Sequence, residues 1–122
     1  MARILVVDDD AHVRSTISRL LSGFGHTVSE VAGGTAAAQA VEKGTYDLVI
    51  IDLVMPDQGG IETIMQFHGD ARKIPTIVMS GKIPINDEAV NRLVERYGAK
   101  GVLAKPFTSE ELADAVNTAL GT

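Results

Sequence analysis

A chain of 122 residues with 45% hydrophobic and 22% charged residues has the composition of a folded, soluble domain and leaves no room for a second one. The net charge of −5 and the scatter of its eleven basic residues exclude the gathered basic face that a nucleic-acid binder needs. The absence of cysteine excludes a disulfide framework, a thiolate metal site and a cysteine nucleophile, and no apolar run is long enough for a membrane span or a secretory signal. We therefore expect residues 1–122 to form one soluble, cytoplasmic domain that binds no nucleic acid directly and does not insert into a membrane.

The first apolar run, Ile4 to Val7, predicts a strand and ends in Asp8-Asp9-Asp10. Val13, Ile17, Leu20, Leu21 and Phe24 then fall on one face of a first helix, with Gly25 placed to take the left-handed turn at its end. A second strand is expected at Thr27 to Val31 and an alanine-rich helix around Thr35 to Lys43. The third strand, Leu48 to Ile51, runs into Asp52, and a short helix is expected around Ile61 to Phe67. Thr76 to Met79 forms the fourth strand and ends in Ser80-Gly81. Val90, Leu93, Val94 and Tyr97 mark a fourth helix between a cap at Asn86 and an end at Gly98. The fifth strand, Gly101 to Leu103, leads to Lys105-Pro106, and Leu112, Val116 and Leu120 mark a last helix capped by Thr108.

Continuous apolarity over four or five residues suits strands buried on both faces. Strand alternating with helix five times predicts right-handed βαβ units. The fold class is therefore α/β: a single doubly wound, five-stranded parallel sheet flanked by five helices.

In such a sheet the functional crevice lies beyond the carboxyl ends of the strands. The residues found there are acids after the first run, Asp52 after the third, Ser80 and Gly81 after the fourth, and Lys105 after the fifth. Gathered carboxylates repel one another unless protonated or neutralised, and an all-oxygen donor set suits a hard cation, with Mg²⁺ the natural candidate. A lysine aimed at the same point leaves room for an anion between ammonium and metal. Mg²⁺, lysine and a hydroxyl are recurring equipment for phosphoryl transfer.

Four segments carry a resemblance: Ile-Leu-Val-Val-Asp-Asp-Asp at 4 to 10, Asp-Leu-Val-Ile-Ile-Asp-Leu-Val-Met-Pro-Asp-Gln-Gly-Gly at 47 to 60, Ile-Val-Met-Ser-Gly at 77 to 81 and Ala-Lys-Pro-Phe at 104 to 107. In these the whole chain resembles the receiver domain of bacterial two-component response regulators, the CheY-like family. The resemblance implies a flavodoxin-like strand order 2-1-3-4-5. It implies Asp52 as phosphoacceptor, Mg²⁺ held by Asp9, Asp52 and the Val54 carbonyl with Asp8 acting through water, and Ser80, Gly81 and Lys105 around the phosphoryl group. Its implied partners are a sensor histidine kinase or a histidine phosphotransfer protein upstream and an effector protein downstream. The implied role is a phosphoacceptor switch that assists its own phosphorylation and slow dephosphorylation, rather than an enzyme acting on other molecules.

Single residues also have ordinary readings. Asp10 reads best as a helix cap, and His12, His26 and His68 as solvated or partner-facing side chains. Gly59-Gly60 reads as a tight turn, and Arg92, Arg96 and Lys100 as a solvated helix edge. Where many relatives carry an aromatic ring three residues before the lysine, this chain has Val102, which removes the ring from the expected switch. Two other functions compete with the leading one. A haloacid-dehalogenase-type phosphatase shares the nucleophilic aspartate, lysine and Mg²⁺, but this chain lacks its second acidic pair and its cap; the other is an inert receiver-like interaction domain.

Overall fold

The computed structural model describes residues 1–55, 60, 62–64, 74–81, 88, 91–92, 96 and 99–121. Along the chain run β1 (Arg3–Val7), α1 (Ala11–Gly23), β2 (Thr27–Val31), α2 (Gly34–Lys43), β3 (Leu48–Asp52), β4 (Thr76–Ser80), β5 (Gly101–Ala104) and α3 (Ser109–Leu120). All five expected strands are present. Of the expected third helix, Glu62, Thr63 and Ile64 are described and helical. Val90, Leu93, Val94, Tyr97, Asn86, Gly98 and His68 lie outside the described residues, as do Asp57, Gln58 and Gly59.

The strands form one parallel sheet in the order β2-β1-β3-β4-β5. Alternate side chains of a strand point to opposite faces, so each face receives its own core. Leu5, Val7, Val49, Ile51 and Val78 pack with Ala37 and Val41 of α2 and with Ile64. Ile4, Val6, Leu48, Ile50, Ile77 and Met79 pack with Ile17 and Leu21 of α1 and Leu112 and Val116 of α3. Each fully buried aliphatic side chain contributes about 1.5–3 kcal/mol, which makes β1, β3 and β4 the stable centre of the molecule.

Two-sided burial holds for those central strands and fails for β2. Its Thr27 and Glu30 are exposed, because an edge strand has one neighbour and the sequence Thr-Val-Ser-Glu-Val is half polar. Phe24 also departs from expectation. It follows the last residue of α1 as the C-cap and is 44% exposed, so the buried stripe is carried by Ile17 and Leu21. Gly25 takes φ +95°, the left-handed turn expected after that helix. The cap at α3 is a reciprocal pair: Thr108 Oγ1 accepts from Glu111 N, and Glu111 Oε1 accepts from Thr108 N. Among the described residues no helix is long and apolar enough to cross a membrane.

Candidate functional site

The register Val7↔Ile51 sets the next residues of β1 and β3, Asp8 and Asp52, side by side at the carboxyl edge of the sheet. Both are buried. Each carboxylate is held by the backbone two residues on and by one shared cation. Asp8 Oδ1 accepts from Asp10 N at 2.9 Å and Asp52 Oδ1 from Val54 N at 3.0 Å. Their Oδ2 atoms both accept from Lys105 Nζ, at 2.6 Å and 2.7 Å. Asp9 is exposed, and one carboxylate oxygen of each of Asp8, Asp9 and Asp52 lies within 4.8 Å of the others.

Lys105 reaches this point because β5 pairs with β4 up to Ser80↔Ala104, and the Lys105 N–H then donates to the Ser80 carbonyl at 2.8 Å. The Lys105–Pro106 peptide bond is cis. Burial pushes the Lys105 ammonium toward its neutral form, but the hydrogen bonds it donates to Asp52 and Asp8 and their two negative charges outweigh that cost. Its pKa is raised above the usual 10.5. The Ser80 hydroxyl is buried, and among the described residues it has no hydrogen-bond partner. An orphaned buried hydroxyl is costly unless a further group completes it.

Asp8, Asp9, Asp10, Asp52, Val54, Gly81 and Lys105 line a cleft of about 340 Å³. A Cβ at Gly81 would sit 3.4 Å from the Lys105 side chain, an ordinary contact, so Lys105 alone does not demand glycine there. The donor set fits a hard divalent cation. It offers three carboxylates, all oxygen, converging where an ammonium group already bridges two of them. The chain has no cysteine, and among the described residues no histidine lines the cleft.

The structure thus brings Asp8, Asp9, Asp10, Asp52, Gly81 and Lys105 together in one cleft, while Ser80 ends the neighbouring strand and meets Lys105 through its backbone carbonyl without lining the cleft itself. Asp10 is a cap, as expected: its Oδ1 accepts from His12 N and Val13 N at the start of α1. His12 is exposed, but His26 is not merely solvated, since its Nδ1 accepts from Ala2 N at 3.1 Å at the opposite end of the sheet. Two contacts escaped the sequence reading, which took Gly60 only as part of a tight turn and gave Arg14 no role. Gly60 lies so close to β3 that a Cβ there would collide with the Asp52 carbonyl oxygen and come within 2.7 Å of Leu53 Cα. Arg14 donates from its guanidinium to the Asp8 carbonyl at 2.7 Å. Gly60 carried a signal, a glycine shortly after the Met-Pro dipeptide in the sequence, whereas Arg14 looked like any exposed helix arginine.

A doubly wound parallel sheet with an acidic, lysine-bridged cleft at its carboxyl edge defines a small α/β domain of flavodoxin-like order. Residues 4–117 match the model of the response regulator receiver domain, and the chain belongs to that family. It is 36% identical over 109 residues to the transcription factor SKN7 of Saccharomyces cerevisiae, covering 89% of this chain and 17% of that protein. It is 33% identical over 110 residues to the transcriptional regulatory protein TcrA of Mycobacterium tuberculosis, covering 90% and 42%. The chain therefore spans less than half the length of these curated relatives. Among solved structures it resembles the response regulator TrrA of Thermotoga maritima in complex with Mg²⁺ and BeF, with a TM-score of 0.85 and 27% identity over 98% of this chain and all of that one.

Proposed function

We propose that this domain is a phosphorelay switch in which Asp52 accepts a phosphoryl group from a phosphohistidine of a sensor kinase or histidine phosphotransfer protein. The observation that carries the reading is the triad of carboxylates within 4.8 Å, two of them bridged by Lys105, at a strand edge where the buried Ser80 hydroxyl has no hydrogen-bond partner among the described residues. A cluster of acids that only served the fold would not need all three of these features at one strand edge. Residues 1–122 act as one unit in this reading, in the cytoplasm, and the output is a change in protein binding.

Asp9, Asp52 and the Val54 carbonyl would hold Mg²⁺ directly and Asp8 through water. When bound, the ion supplies positive charge against the incoming phosphoryl oxygens. The remaining chemistry belongs to the chain. The Val54 N–H fixes one Asp52 oxygen, which orients the carboxylate toward the cleft. A carboxylate oxygen of Asp52 attacks phosphorus, the bond from phosphorus to the donor imidazole nitrogen breaks, and its electron pair stays on that nitrogen. Lys105 changes partner from carboxylate to phosphoryl oxygen, Ser80 donates to a second oxygen, and the Gly81 backbone leaves space for it.

Incubation with acetyl phosphate and Mg²⁺, followed by intact-protein mass spectrometry, tests the assignment. The parent gains one phosphoryl group and Asp52→Asn gains none. Equal labelling of Asp52→Asn would move the acceptor elsewhere, and an unlabelled parent would favour an inert interaction domain.

A further inference from the structure

Arg14 stands outside the cleft but touches the segment that builds it. Its Nη1 donates to the Asp8 carbonyl oxygen at 2.7 Å, while its Nε faces Glu30 Oε1 at 3.6 Å. The Asp8 N–H donates to the Val31 carbonyl at 3.3 Å. Both backbone groups of this fully buried aspartate are therefore held, one by β2 and one by a charged side chain. The Asp8 carbonyl belongs to the peptide that joins Asp8 to Asp9. A peptide is planar, so fixing that oxygen fixes the direction in which Asp9 leaves the strand. Asp9 needs this help, because it is exposed and no hydrogen bond among the described residues orients its carboxylate.

We infer that Arg14 is a positioning residue for the cation-binding acids: anchored by Glu30, it sets the peptide between Asp8 and Asp9 and thereby the affinity of the cleft for a divalent cation. The inference rests on the proposed reading of the cleft as a Mg²⁺ site. The guanidinium suits the task because its planar fork serves two acceptors at once, which a lysine ammonium on a flexible stem does less well. Charge and positioning act here in opposite directions. A cation near the cleft repels Mg²⁺, so loss of charge alone would tighten binding, whereas loss of positioning weakens it.

Titration of Mg²⁺ into the unphosphorylated parent, Arg14→Ala, Arg14→Lys and Glu30→Gln, followed by amide NMR shifts, separates the two. Arg14→Ala raises the half-saturating Mg²⁺ concentration roughly tenfold, the scale on which outer partners of metal ligands act. Arg14→Lys and Glu30→Gln give smaller rises, and the acetyl phosphate labelling rate at saturating Mg²⁺ stays close to the parent's in all three. An unchanged or lowered half-saturation in Arg14→Ala overturns the inference, as does a fall in saturating rate with no change in Mg²⁺ dependence. If Arg14→Ala does not fold, Arg14→Lys and Glu30→Gln decide, and parent-like titrations in both overturn it. A parent that binds no Mg²⁺ refutes the reading of the cleft itself, whereas a binding parent with equal variants refutes only the role of Arg14.

Discussion

Lys105 holds two buried carboxylates with one ammonium group, and its position at 2.6 Å and 2.7 Å from their Oδ2 atoms makes it a rival of any cation drawn to the same acids. Removing it leaves Asp8 and Asp52 side by side with their repulsion uncompensated. Breaking a buried pair costs about 3–5 kcal/mol, and the lower end applies here because the lysine side chain is 21% exposed. Lys105→Ala should therefore be less stable by about 3 kcal/mol without metal, bind Mg²⁺ more tightly, and recover much of its stability in Mg²⁺. Urea unfolding with and without the ion measures this, and an equal Mg²⁺ response in parent and variant would contradict competition. In the proposed mechanism the same substitution slows labelling of Asp52, because the phosphoryl oxygens lose their ammonium partner.

At the level of elements, the carboxyl end of β3 is fixed by a backbone approach. The Gly60 N–H donates to the Leu53 carbonyl at 3.1 Å, and the space for its missing Cβ is filled by the backbone of Asp52 and Leu53. Backbone atoms cannot swing aside as a flexible side chain can. Gly60→Ala should cost about 1–3 kcal/mol, the usual scale of overpacking. It should also displace the strand end that carries Asp52. Thermal unfolding reads the first effect and the rate of acetyl phosphate labelling the second. Parent-like values for both would mean that the backbone at position 60 shifts without moving β3. The cap of α1 works on the same scale: Asp10 lines the cleft, but its Oδ1 accepts from His12 N and Val13 N, and it is not one of the three carboxylates that converge there.

For the whole molecule, two predictions follow from the coupling of distant strands through one site. Lys105 lies 97 residues from Asp8 and 53 from Asp52, so its charge ties the end of the chain to its beginning. Its folded pKa is raised above the unfolded 10.5. The associated stability is fully present below 10.5 and is lost as pH climbs through the folded value. The stability gap between parent and Lys105→Met should accordingly narrow in alkaline solution above that point, measured by urea unfolding across the series. A gap independent of pH would show that the ammonium charge is not what stabilises the fold.

The second prediction concerns output. A phosphoryl group shifts a conformational equilibrium only through contacts that differ between the states, and the Ser80 hydroxyl, buried and without a hydrogen-bond partner among the described residues, is a ready donor. Val102 is half-buried against the aliphatic core and offers no ring to move. Ser80→Ala should still be labelled at Asp52 but show much smaller amide NMR shifts from Ser80 through Lys105 on addition of beryllofluoride. A parent-sized response would route the signal elsewhere.

The strand runs and the chemistry at their ends were legible because local rules govern them: apolar runs predict buried strands, and residues just past a run sit at the sheet's carboxyl edge. Asp8, Asp9, Asp52, Ser80 and Lys105 were found this way, and the caps at Asp10 and Thr108 by side-chain chemistry alone. Strand pairing belongs to the tertiary structure, since the order β2-β1-β3-β4-β5 was an inference from resemblance until the register placed it. The exposed edge of β2 and the exposed Phe24 were missed because burial depends on what packs against an element as well as on its pattern. The close approach of Gly60 to β3 and the contact of Arg14 were missed for a related reason. One works through the absence of an atom beside a backbone 8 residues away and the other through a single hydrogen bond to a carbonyl, and neither leaves a periodic trace in the sequence. What the sequence by itself determined was which chemical groups stand at the strand ends. Only the folded chain decided which of those groups touch, because pairing strands that are remote in sequence sets the distances between them.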